Sequence, residues 1–196
     1  EPELTLEVQY LVDTLWAMHN DGARLYDGQQ LALGWTTVSF RAERGPEGGE
    51  FFIASAPDYA DSSGEGRTDD LTATFRALGP MRDWLSKSGA APHSVNFDQH
   101  VLVARGALKT ERVFWLRVDS PGGRLTGWRL APVEMEGEME VDSMPVRQIW
   151  RERPALLQTL LLPAGWMSYF DGDEVVAIVD PSDQVVWPPP EAGADE

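Results

Sequence analysis

VFWLRVDSPGGRLTGWRLAPV, residues 113–133, decides the fold. Arg112 to Asp119 reads as a strand whose VFWLRV segment is apolar on both faces, which places it centrally in a sheet with both sides covered. Pro121-Gly122-Gly123 turns the chain, and Thr126 to Val133 returns as a second strand. The pair is therefore a hairpin, and the sheet it seeds is antiparallel. Gly127-Trp128 lies inside it, and the same dipeptide recurs as Gly34-Trp35 in LALGWTTVSF and Gly165-Trp166 in LLPAGWMSYF. A glycine at such a junction allows close backbone approach or positive φ. The indole that follows brings a large apolar area and an N–H that needs a partner. Trp35, Trp128 and Trp166 are accordingly expected in the core.

Outward from that hairpin, Phe97 to Arg105 reads as a preceding strand. Trp166 to Phe170 and Val175 to Val179 read as two later ones, around the turn Asp171-Gly172-Asp173, with Val185 to Trp187 extending the sheet. A helix is expected from Pro154 through Leu162, because proline suits the first helical position. Upstream, Leu4, Val8, Leu11, Val12 and Leu15 follow helical spacing until Asn20-Asp21-Gly22. Leu31 to Arg44 and Glu50 to Ala56 read as strands around Gly45-Pro46-Glu47-Gly48-Gly49. A second helix is expected near Thr68 as N-cap, with the stripe Leu71, Phe75, Leu78, Met81 and Leu85, and Gly89 as its stop. Gly79-Pro80 should kink or split it.

Runs of strands separated by helices, without strict alternation, give an α+β fold. It has a mostly antiparallel sheet, two main helices and a short C-terminal helix in a single globular unit. The domain is expected over 1–187, with a sub-boundary near 134–145. Residues 188–196, proline-rich and then polar, read as a disordered tail.

The composition narrows the function. The chain has 196 residues, 42% hydrophobic, with 32 acidic against 16 basic residues and a net charge of −16. Nucleic acid needs a basic footprint, so it is disfavoured, as are anionic membrane surfaces. There is no cysteine, hence no disulfide or thiolate chemistry. No apolar run approaches the roughly 18 residues of a membrane span. The chain starts at Glu1 without Met, so the expected compartment is the cytoplasm, or the periplasm if a signal peptide was trimmed.

Candidate chemistry is sparse. His19, His93 and His100 lack zinc-site spacing. His100, on a strand in FDQHVLV, could serve as a base but reads first as a hydrogen-bonded structural residue. Asp171-Gly172-Asp173-Glu174 and Asp180-Pro181-Ser182-Asp183 read as turns, since a calcium loop needs a longer acidic ladder. Asp58/Asp61 and Asp69/Asp70 are solvated loop and helix-start charges before they are acid–base pairs. No catalytic residue, metal ligand or cofactor site is assigned.

Glu134, Glu136, Glu138, Glu140 and Asp142 alternate with Met135, Met139 and Val141 around Gly137. On an extended segment these carboxylates share one face. They are either charges that keep a loop or edge strand from aggregating, or a negative face for a basic partner, with methionine as adaptable contact.

Asp27-Gly28 before Gly34-Trp35, Pro57-Asp58-Tyr59, Phe97-Asp98-Gln99, Arg105-Gly106, Glu111-Arg112 and Gly127-Trp128 with Pro132-Val133 occur in that order. Leu162-Pro163-Ala164-Gly165-Trp166 and Val179-Asp180-Pro181 follow them. This pattern, over roughly 25–187, resembles the immunity-protein-thirty-three-like family of bacterial polymorphic toxin and type VI secretion systems. The resemblance implies a non-enzymatic immunity protein that neutralises a cognate toxin by direct occlusion. Acidity fits a toxin with a basic surface, and the five carboxylates are then the partner-binding residues. The alternatives are a small carboxylate-dependent hydrolase with a Trp-lined cleft, or an adaptor that takes a peptide along an exposed strand edge. The oligomeric state is open.

Overall fold

The computed structural model describes residues 4–61, 63–120, 122–134 and 139–189. The fold is α+β with mostly antiparallel sheets, as expected. The chain divides into two compact units, Glu1–Pro80 and Met81–Glu196.

The first unit opens with α1 (Thr5–Asn20), closed by Asp21 and by Gly22 at positive φ. Its inward face differs from the expected stripe. Glu7 and Leu11 are buried, whereas Val8 and Val12 are exposed, together with Leu6, Tyr10 and Trp16. Apolar and polar residues are spread around α1, so no single stripe stands out for periodicity to select.

The expected strand Leu31 to Arg44 is in fact two, β1 (Gln30–Leu33) and β2 (Thr36–Arg44), antiparallel with Leu33 opposite Thr36. Gly34 and Trp35 are the two turn residues. Gly34 has φ +62° and Trp35 does not share its sign, which is the combination of a type II′ hairpin. Trp35 is nonetheless fully buried and stacks on Tyr59 at 4.7 Å between ring centroids. The Tyr59 hydroxyl donates to Thr36 Oγ1 at 2.9 Å. β3 (Glu50–Pro57) pairs with β2, and β4 (Arg67–Thr68) completes a four-stranded sheet in the order β1-β2-β3-β4.

Thr68 thus belongs to a strand and does not cap a helix. α2 (Thr72–Ser88) starts later, where Asp70 Oδ1 accepts the Thr72 N–H at 2.9 Å. Of the two expected effects of Gly79-Pro80, splitting does not occur: α2 runs unbroken through Pro80. Ala77 and Leu78 before it and Met81 and Trp84 after it are all buried. Burial on both sides outweighs the roughly 3 kcal/mol that an interior proline costs. A Cβ on Gly79 would stand 3.2 Å from Glu7 Oε1, so this glycine leaves room for a buried carboxylate.

The second unit holds a seven-stranded sheet, ordered β11-β10-β9-β6-β7-β5-β8. Its strands are β5 (His100–Ala104), β6 (Arg112–Arg117), β7 (Leu125–Pro132), β8 (Val141–Pro145), β9 (Met167–Asp171), β10 (Glu174–Val179) and β11 (Val185–Trp187). β6 is central, as its sequence implies. Only one of its faces is sealed: Val113, Trp115 and Arg117 are buried, Phe114 and Leu116 half-buried. β5 runs parallel to β7; every other pairing is antiparallel.

The sealed side is lined by Val101, Val103, Trp115, Trp128, Leu130, Phe170 and Ile178, all buried. α3 (Val146–Glu152) supplies buried Val146 and Ile149, and a 3-10 helix over Pro154–Thr159 supplies buried Leu156 and Leu157. α3 was not expected, and the helix expected from Pro154 is this 3-10 turn. Trp128 and Trp115 stack at 5.2 Å, and Trp128 Nε1 donates to Leu160 O at 2.9 Å. Burying an indole of this kind is worth about 3–5 kcal/mol against alanine. Trp166, expected in the core, is by contrast only half-buried.

Two arginines lie inside this unit. Arg117 NH1 donates to Leu162 O at 2.8 Å and His93 O at 3.2 Å, and desolvation lowers its pKa to about 10. Arg153 donates to the carbonyls of Thr110, Glu111 and Gly172, and meets Asp173 at 3.4 Å. Each gathers several loop carbonyls around one guanidinium; Glu111 O also accepts the Gly172 N–H at 3.0 Å.

Candidate functional site

The acidic run ends on β8, the terminal strand of the seven-stranded sheet. Glu136 and Glu138, with Met135 and Gly137, lie outside the described residues. The other three proposed partner-binding carboxylates are placed. Glu134 follows β7, 87% exposed, with Arg112 NH1 3.6 Å away. Glu140 immediately precedes β8 and pairs with Arg105; Asp142, on β8, lies 3.7 Å from the same guanidinium. Arg105 follows β5, and its N–H donates to Glu140 O at 2.8 Å, so the cross-strand register brings acid and base together. The chain alone gives no sign of this pairing, since 35 residues separate the partners.

These carboxylates are well exposed, 69% for Glu140 and 59% for Asp142. Exposed pairs of this kind contribute little to stability, roughly 0–1 kcal/mol. Two acids on one arginine leave a surplus of negative charge at the strand edge. Val141, between them, is 55% exposed.

On the opposite face of β5 and β8 lies a polar cluster that the sequence only half suggested. Arg124 Nε donates to His100 Nε2 at 3.1 Å, and His100 Nδ1 meets Ser143 Oγ at 3.0 Å. A guanidinium cannot accept, so Nε2 carries the lone pair and Nδ1 the proton. His100 therefore donates to Ser143 and is not placed to deprotonate it. Burial, Arg124 and Arg147 lower its pKa, and Asp98, paired with Arg147, opposes them. A cavity of about 150 Å³ beside it is lined by His100, Leu102, Asp119, Ser120, Trp128 and Arg129 among others. Ser120 Oγ is committed to Leu125 O at 3.0 Å.

The other candidates resolve structurally. Gly172 and Asp173 turn β9 into β10, with Asp171 opposite Glu174. Asp180 Oδ1 accepts from Ser182 and Gln184 N–H groups, closing the second turn. Asp61 accepts from Ser63 and Gly66, which lowers its pKa to about 2. Asp58 accepts from Ala60 N. In the first unit, a hollow of about 850 Å³ is lined by Asp27, Arg41, Ser55, Arg67 and Asp69. Its charged groups are already engaged: Arg41 with Glu43 and Asp69, Arg67 with Ser55 O at 2.6 Å, and Asp27 with Ala42 N at 2.9 Å. Among the described residues, no three His, Asp or Glu side chains converge as a metal site. Nor is any helix among them long and apolar enough to cross a membrane.

No curated protein and no solved structure matches the chain. The Imm33-like domain family does, over residues 81–181, just over half of the chain. The match begins at Met81, where the second compact unit begins. It takes in Gly127-Trp128, the Leu162–Trp166 segment, His100 and the acidic run, while Gly34-Trp35 and Pro57-Asp58-Tyr59 lie before it. By that match, this chain belongs to the Imm33-like family.

Proposed function

We propose that the chain is an immunity protein that binds a cognate bacterial toxin and neutralises it by occlusion, without catalysis. The setting would be a polymorphic toxin or type VI secretion system, with the protein in the cytoplasm, or in the periplasm if exported. The observation that carries the reading is the Imm33-like match over the unit bearing the acidic β8 edge. The toxin surface it fits is basic, and Glu134, Glu136, Glu138, Glu140 and Asp142 are the residues proposed to meet it. A net charge of −16 would steer such a toxin toward this surface and speed capture. The hydrolase alternative gains little support, because its candidate carboxylates are engaged locally: Asp58 with the Ala60 N–H, Asp61 with the Ser63 and Gly66 N–H groups, Asp69 with Arg41, and Asp70 with the Thr72 N–H.

The test is co-purification and affinity measurement with the product of the neighbouring gene. Reversing Glu136, Glu138 and Glu140 to Lys should weaken binding at least tenfold at low salt, with the fold retained. A triple variant that protects cells and binds like the parent would reduce the acidic run to a solubility device. Absence of any binding by the parent would remove the immunity reading itself.

A further inference from the structure

The free side of β8 is the open edge of the seven-stranded sheet, and its backbone polarity follows from the register. β5 and β8 pair with His100 opposite Pro145, Leu102 opposite Ser143 and Ala104 opposite Val141. At one end of this ladder Arg105 N–H donates to Glu140 O at 2.8 Å; at the other, Val146 N–H donates to Gln99 O at 2.9 Å. In an antiparallel ladder, hydrogen-bonded and non-hydrogen-bonded residues alternate. Glu140, Asp142 and Met144 therefore turn their backbone groups toward β5, and Val141 and Ser143 turn theirs outward. Among the described residues, no strand takes up these outward N–H and C=O groups. The opposite edge, β11, has three residues and runs into Pro188 and Pro189, which offer no N–H.

We propose that β8 is a strand-addition site: an extended segment of the partner pairs with Val141 and Ser143 and carries Lys or Arg opposite Glu140 and Asp142. The identity of the partner as a toxin rests on the function proposed above; the docking mode rests on the edge. A strand laid beside β8 would place alternate side chains about 4.5–5.5 Å from those of β8. Positions opposite Glu140 and Asp142 share the carboxylate face, where Arg105 already balances one of the two charges. Positions opposite Val141 and Ser143 share the face of Leu102 and His100, where half-buried Leu102 and exposed Val141 suit apolar side chains beside the His100–Ser143 pair. The segment so defined alternates basic and apolar residues. A second copy of this chain is excluded as occupant, because it would set carboxylate against carboxylate between molecules of charge −16. The charges that keep β8 from pairing with itself thus select a basic strand.

The test uses Val141→Pro in the full chain. It removes an outward N–H and adds a ring on the open side, where a strand tolerates proline, so the melting curve should superimpose on the parent's. The probe is a synthetic Lys-Val-Lys-Val-Lys-Val peptide, with a version N-methylated at alternate backbone nitrogens as control. The parent should bind the probe and slow amide exchange at Val141 and Ser143. Val141→Pro, the N-methylated peptide, and Glu140→Lys with Asp142→Lys should each weaken binding at least tenfold. If Val141→Pro binds the probe like the parent, or exchange at those two amides is unchanged, the carboxylates act as a charged surface and strand addition is wrong. The toxin gives a separate arm. A Val141→Pro variant with parental toxin affinity overturns the proposed docking while leaving the immunity reading intact. A parent that ignores the neighbouring gene's product but passes the peptide arm keeps the strand site and loses the toxin.

Discussion

Replacing Gly127 with Ala tests how closely the core strands approach. Gly127 sits in β7 at φ +87°, where β5 and β7 slip register: His100 faces Leu125, but Leu102 faces Arg129. A Cβ there would stand 2.2 Å from Val118 O, well inside any real contact. The carbonyl cannot swing away freely, because Val118 N–H is itself bonded to Gly127 O at 3.1 Å. Positive φ alone costs an alanine about 1–2 kcal/mol. Forcing an extra methyl into closed packing adds about 1–3 kcal/mol. Gly106 provides the control in the same unit: φ +86°, with nothing within 4 Å of its Cβ position. Gly106→Ala should therefore cost only the backbone part, about 1–2 kcal/mol, and Gly127→Ala about 2–5 kcal/mol. Urea unfolding followed by near-UV circular dichroism compares the two in one transition. If Gly127→Ala is within about 0.5 kcal/mol of Gly106→Ala, Val118 yields easily and the close approach is not what fixes glycine at 127.

Trp128→Phe should destabilise by about 1–3 kcal/mol, because it strands the Leu160 carbonyl that Trp128 Nε1 bonds; Trp115→Phe should cost less, since the buried Trp115 Nε1 has no hydrogen-bond partner among the described residues. Equal losses in denaturant midpoint would refute that distinction. His100 should make stability fall on the acid side. Its folded pKa lies below the ordinary value of about 6.5, so the unfolded chain binds more protons in that window. The contribution is complete above about pH 6.5 and is lost as pH falls through the folded pKa. His100→Asn should flatten the stability difference between about pH 7 and 5; an unchanged slope would assign it to other groups.

Much of the sheet was legible because its signals are local. The turn glycines Gly122 and Gly123, the turn Asp171-Gly172-Asp173, and the both-sided apolarity of VFWLRV need no distant partner to be read. β8 and α3 were harder. Val141–Pro145 is too short and too exposed to alternate clearly. In α3 only Val146 and Ile149 are buried, one i, i+3 pair after Pro145, and periodicity needs more turns than that. The parallel β5–β7 pairing could not be read at all. Nothing local says that β5 skips past β6 to lie beside β7. Gly34-Trp35 misled for a different reason: a fully buried tryptophan in a two-residue turn reads as strand until Tyr59 is known to stack on it.

The candidate surface was legible in composition and not in charge. Five acidic residues in nine positions read as a uniform negative face. The fold brings Arg105 and Arg112 into that run from β5 and β6, so the placed acids Glu134, Glu140 and Asp142 meet two cations. Their joint excess is modest, and at physiological ionic strength its reach is about 8 Å. Such a patch can orient a basic partner at contact range, but by itself it supplies little lasting affinity. Lasting affinity needs interactions that salt does not screen. On this part of the molecule those are the outward backbone groups of Val141 and Ser143, with half-buried Leu102 and His100 beside them. Under the strand-addition proposal the charged and the hydrogen-bonding features of β8 divide the work: the carboxylates would choose the sign of the partner, and the strand edge would hold it.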